Sequence, residues 1–290
     1  LGFQSYLSNT FWCDLDDGSE WFSNWEGTCK FHSTIDVEYN VSMFYFALWP
    51  RLLELTIDQW TRYGHAHDPS GGTYLSHDMG SDLTADGQAY PHAMEVEENC
   101  NFLLLLHALA HWTGKTELLQ RHAELTRQLV AYLIWTDREG CGFPTEGTAN
   151  TIDDASPAVQ YARRQTYLGV KRASALSSAA DLLGRVGDDA LAERCRQVAD
   201  DAINRIEQEA WLTEHYIVCT DRDTAGMTDV WTGRPLPMGP VPGAEGYSIY
   251  TANGLLLPAM VGRPAPLQPG RLNKDLINAT RETLSRYGCG

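Results

Sequence analysis

The chain has 290 residues, 43% hydrophobic and 21% charged, the balance of a soluble globular protein. Its net charge of −16, without a basic stripe, excludes the electrostatic footprint of a nucleic-acid binder. The longest apolar run, Phe102 to Leu109, contains His107 and is far shorter than the roughly 20 residues needed to cross a bilayer, so no membrane span is expected.

In chain order, Met43 to Tyr63 reads as one long helix interrupted by Pro50 near its first turns. Met94 to Trp112 is a second, very apolar one. The short turn Thr113-Gly114-Lys115 leads into a return helix over Glu117 to Trp135, which implies antiparallel neighbours. Ala155 to Leu183 and Asp189 to Trp211 form a second pair, broken at Gly184 to Asp188, and Tyr247 to Met260 with Leu272 to Tyr287 a third. Between pairs lie longer polar loops, 64–93, 136–154 and 220–246, of mixed acidic and aromatic composition, so one end of the helix array is decorated and the other plain. The expected fold class is all-α, an α/α toroid or solenoid of helical hairpins. Roughly seven helices are readable where a closed six-hairpin toroid needs about twelve, so residues 1–290 read as one catalytic domain from a longer chain.

Nine Trp, 13 Tyr and 8 Phe suit a neutral ligand such as a sugar, whose C–H faces stack on rings, although most are expected in the core. Seven cysteines without a C-x-x-C argue against a disulfide scaffold and for a reducing, cytoplasmic compartment, with Cys100 and Cys195 as buried thiols.

Three loop segments carry candidate chemistry. The first is Trp25-Glu26-Gly27 followed by Asp36, where the alternatives are a carboxylate brought close to a ligand and a turn residue with a helix N-cap; composition favours the second. The next, Ser76-His77-Asp78-Met79-Gly80, offers a donor and an acceptor to vicinal hydroxyls, or a turn with a satisfied histidine. Nearby His65-Ala66-His67 lacks a third ligand at a recognised zinc spacing. In the third, Asp153 and Asp154 stand before the Ala155 helix either as cap and dipole partner or with Asp153 facing a pocket. Asp14 to Gly18 reads as a solvated acidic turn, not an EF-hand loop. No nucleotide, phosphate-loop or nucleophile-elbow motif is present, and neither cofactor nor resident metal is expected.

Taken in order, Glu26-Gly27, Asp36-Val37, Leu48-Trp49-Pro50-Arg51-Leu52, His77-Asp78-Met79-Gly80, and Asp137-Arg138-Glu139-Gly140-Cys141-Gly142 with Asp153 resemble the catalytic domains of glycoside hydrolase families 116 and 52 over about residues 21–185. Those families have an (α/α)6 toroid and a retaining mechanism. The resemblance implies Glu26 as nucleophile, Asp153 as acid/base, and Asp36, His77, Asp78 and Trp25 as contacts to a β-linked xyloside or glucoside substrate. Ile152 stands where those families have a tyrosine. A second resemblance, through Ala93-Met94-Glu95-Val96-Glu97-Glu98-Asn99, is to the glutaminase A-like toroid proteins and implies that Glu97 or Glu98 lines the same cavity of an amidase. A toroid that binds glycans without cleaving them is the third reading. No residue pattern specifies an oligomeric state.

Overall fold

The computed structural model describes residues 2–148, 151, 157–286 and 288–289. Its elements in chain order are α1 (Gly2–Ser8), β1 (Thr10–Asp14), β2 (Glu20–Asn24), α2 (Ile35–Leu48), α3 (Pro50–Trp60), β3 (Gly64–His67), β4 (Gly72–Leu75), α4 (Glu95–Thr113), α5 (Glu117–Arg121) and α6 (Ala123–Trp135). There follow α7 (Pro157–Tyr161), α8 (Thr166–Arg185), α9 (Asp189–Glu209), β5 (Trp211–Leu212), β6 (His215–Tyr216), α10 (Leu256–Met260), α11 (Pro269–Thr283), β7 (Leu284–Ser285) and β8 (Gly288–Cys289).

Helical hairpins dominate, but the protein is not purely all-α. Among the described residues, four two-stranded antiparallel hairpins, β1–β2, β3–β4, β5–β6 and β7–β8, decorate the helices. Two of them lie where the sequence reads as aromatic stretch and loop. Thr10 pairs with Asn24 and Gly64 with Leu75, so short alternating strands occupy segments too brief to show a strand period over local polarity.

The helix read over Met43 to Tyr63 is instead two. Asp36, Glu38 and Tyr39 already belong to α2, and Trp49 leaves helical geometry at φ −144°, ψ 66° because the following Pro50 crowds the α conformation. Pro50 then takes the first position of α3, where its missing N–H costs nothing. Likewise the segment read as a helix from Ala155 divides into α7 and α8. Of the stretch read from Tyr247, only Asn253 to Met260 is helical, as a 3-10 turn running into α10.

At the centre lies α4. Every residue from Val96 to Ala110 is buried, which explains a sequence apolar on all sides rather than along one stripe. It packs against α2, α3, α8 and α10, while α9 covers the outer face of α8. The apolar stripe of α9 puts Cys195, Ala199, Ala202 and Ile206 inward. Cys100 and Cys195 are fully buried free thiols, as their helical setting implies. Among the described residues, no helix is long and apolar enough to cross a membrane.

Hairpin β3–β4 is pressed onto α6. A Cβ added to Gly72 would stand 2.4 Å from the Gln128 carbonyl oxygen and 2.8 Å from the Tyr132 nitrogen, both backbone atoms within a helix. Gly72→Ala should therefore lower stability by about 1–3 kcal/mol. Denaturant melts of the variant beside Gly239→Ala, whose added methyl meets open space, check this.

Candidate functional site

The first turns of α2 and α4 meet in the interior with the first turns of α8. Asp36 comes from α2, Glu97 and Glu98 from α4, and Tyr167 and Lys171 from α8. All five are at least 96% buried. Both acidic helix starts follow a residue with positive φ that is not glycine, Ser33 at 43° and Met94 at 55°, conformations that cost energy and turn the chain sharply into each helix.

Lys171 answers Glu97. Its ammonium donates to the Tyr167 hydroxyl at 2.7 Å and stands 3.5 Å from Glu97 Oε1, to which Tyr167 donates in turn. The same ammonium lies 4.4 Å from the centre of the Tyr39 ring. Burial, together with the Asp36 and Glu97 charges, drives the Glu98 carboxyl well above its usual range. One Glu98 oxygen accepts from Asn101 at 3.2 Å; Oε1 has no hydrogen-bond partner among the described residues.

His77 arrives from the segment after β4. Its Nδ1 donates to Asp78 at 2.9 Å, its Nε2 stands 3.8 Å from Asp36 Oδ1, and the Tyr90 ring stacks on it at 4.3 Å. Burial pulls the imidazole down, but Asp78, Asp36 and Glu26 outweigh it and leave the pKa raised. Asp78 is committed to its own loop. It accepts from the N–H groups of Gly80, Ala89 and Tyr90 at 2.8–3.0 Å, which with His77 overcome its burial and hold it ionised. It thus fixes the ring of His77 and the path of residues 80–90 together.

On the other side of α2 a cavity of about 500 Å³ opens between α1, α2 and residues 24–34. Trp25, Tyr6, Phe44 and Tyr45 supply its aromatic walls, and Asn9, Asn24, Glu26 and Glu38 its polar groups. The size suits one small ligand. Glu38 is 3% exposed, and neither of its oxygens makes a well-formed hydrogen bond among the described residues; the same holds for Tyr6 Oη and Thr34 Oγ1, which also border the cavity. Burial pushes the Glu38 carboxyl up to about 7, and the nearby Tyr45 and Ser33 hydroxyls pull it back only partly. The cavity thus joins aromatic walls to a buried carboxyl and buried hydroxyls, a lining of apolar faces with a few polar groups.

A model of the glutaminase A six helical-hairpin domain matches residues 21–228. The chain belongs to that family. It is the second of the two groups to which the motifs are similar, and its matched span takes in the buried cluster and the cavity's lining from Asn24 to Tyr45. Among curated proteins, no relative is detected by sequence. The chain is also similar in structure to a glycoside hydrolase family 78 rhamnosidase of Bacillus sp. GL1, with a TM-score of 0.51 at 14% identity. The likeness, which is one of fold, covers 86% of this chain and 26% of that enzyme, so the chain spans about a quarter of its length.

Within this glutaminase A-type domain, the sequence candidates separate into two neighbouring groups. Trp25 and Glu26 border the cavity, and Glu26 also begins the 3-10 turn Gly27–Cys29, so it is turn residue and cavity residue at once. Asp36, His77 and Glu97 belong to the buried cluster. Asp36 is not an N-cap: Thr34 holds that place, and Asp36 sits in the first helical turn. Asp153 lies outside the described residues, as do Asn150, Ile152 and Asp154. Asp137 of the third segment accepts from the N–H groups of Cys141 and Gly142 at 2.9 and 2.8 Å and shapes its own turn. His65 and His67 bond Ser76 and Ser70. Sequence reasoning gave no role to Glu38, Tyr167 or Lys171. Glu38 is two residues from Asp36 but carries no motif, and its signal is only a carboxylate on an apolar helix face.

Glu38 has a consequence for stability. Its pKa is about 7 in the folded chain against 4.5 ordinarily, so the folded state holds the proton more tightly. That contribution is complete below about pH 4.5 and disappears as pH rises through 7. Glu38→Gln should remove about 2–3 kcal/mol of the stability difference between pH 5 and pH 8. Denaturant melts of both proteins at the two pH values measure it.

Proposed function

We propose that this chain is the catalytic part of a glycoside hydrolase whose sugar ring seats in the aromatic cavity beside α2. The observation carrying this reading is that Glu26 and Glu38 border one cavity while burial keeps Glu38 largely protonated up to about pH 7. Two carboxyls, one that donates a proton and one that attacks, are what retaining hydrolysis of a glycosidic bond requires. Glu38 gives its proton to the leaving oxygen as Glu26 bonds to the anomeric carbon. A water, deprotonated by Glu38, then releases the sugar and restores both groups. The motif resemblance that makes Glu26 the nucleophile names a β-linked xyloside or glucoside as substrate, and Asp153 as a second candidate for the proton donor. Trp25, Tyr6 and Phe44 offer the sugar faces for stacking. Asp36, His77 and Glu97 do not border the cavity and belong to the buried cluster on the other side of α2.

A second reading, amide hydrolysis of a glutamine-like substrate, is favoured by the family description and by Glu97, which belongs to the Glu97-Glu98 segment shared with that family and is coupled to Tyr167 and Lys171.

Aryl β-xyloside, β-glucoside, α-rhamnoside and L-glutamine anilide, offered to the full-length protein, distinguish the two. A β-glycoside is expected to be cleaved, with kcat falling above about pH 7. Glu38→Gln should lose about 10²–10⁴-fold and flatten that limb, and Glu26→Gln should lose at least as much. Unchanged glycosidase activity in Glu26→Gln overturns the proposal. Activity lost in Asp153→Asn but kept in Glu38→Gln moves the acid role to Asp153, and cleavage of the anilide alone establishes the amidase.

A further inference from the structure

We infer that Asp36, His77 and Glu98 form a site for one divalent cation of the zinc class, bound by one imidazole nitrogen and two carboxylate oxygens. One ligand atom from each of the three lies within 4.8 Å of the other two, and all three residues are buried. The His77 Nε2 to Asp36 Oδ1 separation of 3.8 Å is close to the roughly 3.3 Å between donors that share a tetrahedral ion with bonds of about 2.0–2.1 Å. Closing that gap takes a shift of about half an ångström.

Three further features fit an ion. His77 turns Nε2 toward the cluster because Asp78 accepts from its Nδ1, and Asp78 is itself locked by three backbone N–H groups; a carboxylate behind a histidine in this way orients and strengthens a metal ligand. Glu98, fully buried, keeps Oε1 without a hydrogen-bond partner among the described residues. The surroundings also leave room for a cation. Lys171 is committed to Tyr167 and Glu97, and Asp78 to His77 and its loop, so the two buried acids Asp36 and Glu98 have the His77 imidazole as their counterpart. A divalent cation bound between them favours the ionised form of both. One imidazole with two carboxylates suits zinc better than calcium, which prefers six to eight oxygens. Three protein ligands leave one position of a tetrahedral ion open.

A second cluster, His107, His111 and Asp181, has comparable spacing but holds its own cations. Arg185 Nη2 stands 2.8 Å from His111 Nε2, and Arg185 Nε 3.2 Å from Asp181. Arg263 lies 3.8 Å from the same carboxylate. That cluster is an ion-pair network and serves as the control.

The test is metal analysis of the full-length protein, stripped with chelator and then saturated with Zn²⁺ alone. One equivalent should be retained, with a visible spectrum of four-coordinate nitrogen and oxygen ligation when Co²⁺ replaces it. His77→Ala and Glu98→Gln should lose it, and Asp78→Asn should weaken affinity by about 10–100-fold. His111→Ala and His65→Ala, at more accessible positions, should bind as the parent does. Should the core variants fail to fold by circular dichroism, zinc kept by the parent, His111→Ala and His65→Ala alike, with that cobalt spectrum, still supports the site. No zinc retained by the parent overturns the proposal, as does zinc lost in His111→Ala or His65→Ala, or a preference for Ca²⁺. Because the readout is metal content, its failure leaves the glycosidase reading to be judged by its own assays.

Discussion

Three carboxylates, Asp36, Glu97 and Glu98, are buried where the first turns of α2 and α4 meet, and much of the architecture compensates for keeping them there. A buried charge without a partner costs several kcal/mol. The helix N-termini offset part of that cost, since their unpaired N–H groups favour negative charge. The rest must come from other segments. Lys171 and Tyr167 arrive one turn apart on α8, and His77 arrives from the chain after β4. The 253–255 turn closes over them so tightly that a Cβ on Gly254 would stand 2.6 Å from Lys171 Cα. Tyr39, whose ring faces the Lys171 ammonium, donates to the Asn253 carbonyl and ties that turn to α2. Segments distant in sequence are thus joined through one electrostatic requirement.

Asp78 extends the same logic outward. By taking three backbone N–H groups of its own loop as well as the His77 ring, it converts a polar stretch into a fixed wall. Tyr90 lies over His77 as a result, and Trp231 packs edge-on to His92 above it. Gln165 does a similar service at the start of α8, donating to the carbonyls of Thr148, Val159 and Ala162. Side-chain amides and carboxylates, rather than regular secondary structure, hold the loops that surround the helix ends.

Helix α2 separates two environments with opposite character. Residues two apart on a helix point about 200° from each other, so Asp36 and Glu38 face opposite sides of one turn. Asp36 joins a crowded cluster of charges, whereas Glu38 meets aromatic rings and the cavity. The same residue type consequently plays different parts: Glu98 and Glu38 are both driven toward the protonated form, the first by burial and neighbouring carboxylates, the second by burial alone. Glu26, at the rim, acts electrostatically on His77 while bordering the cavity, and so links the two.

Much of the helix layout was legible in the sequence because apolar positions over fifteen or more residues report what a helix buries: α4, α6, α8 and α9 lie close to where they are read and α8 pairs with α9, whereas α10 packs on α4 and α11 on β6 instead of forming the third pair. The loop motifs around Glu26 and His77 lie beside the start of α2, and the Glu97 segment opens α4. Four things required the tertiary structure. The β1–β2 and β3–β4 hairpins are too short for their alternation to stand out. Pro50 marked an interruption, but only the backbone showed that α2 begins at Ile35 and so places Asp36 and Glu38 on a helix. Which of several acidic residues become buried is decided by packing across 60 residues or more, as for Glu97 against Tyr167 and Lys171. The protonation of Glu38, finally, depends on solvent exclusion by α1, Phe44 and Tyr45. Sequence determines which side chains exist and how each helix is striped; burial and the approach of distant charges, which set their chemistry, exist only once the chain has folded.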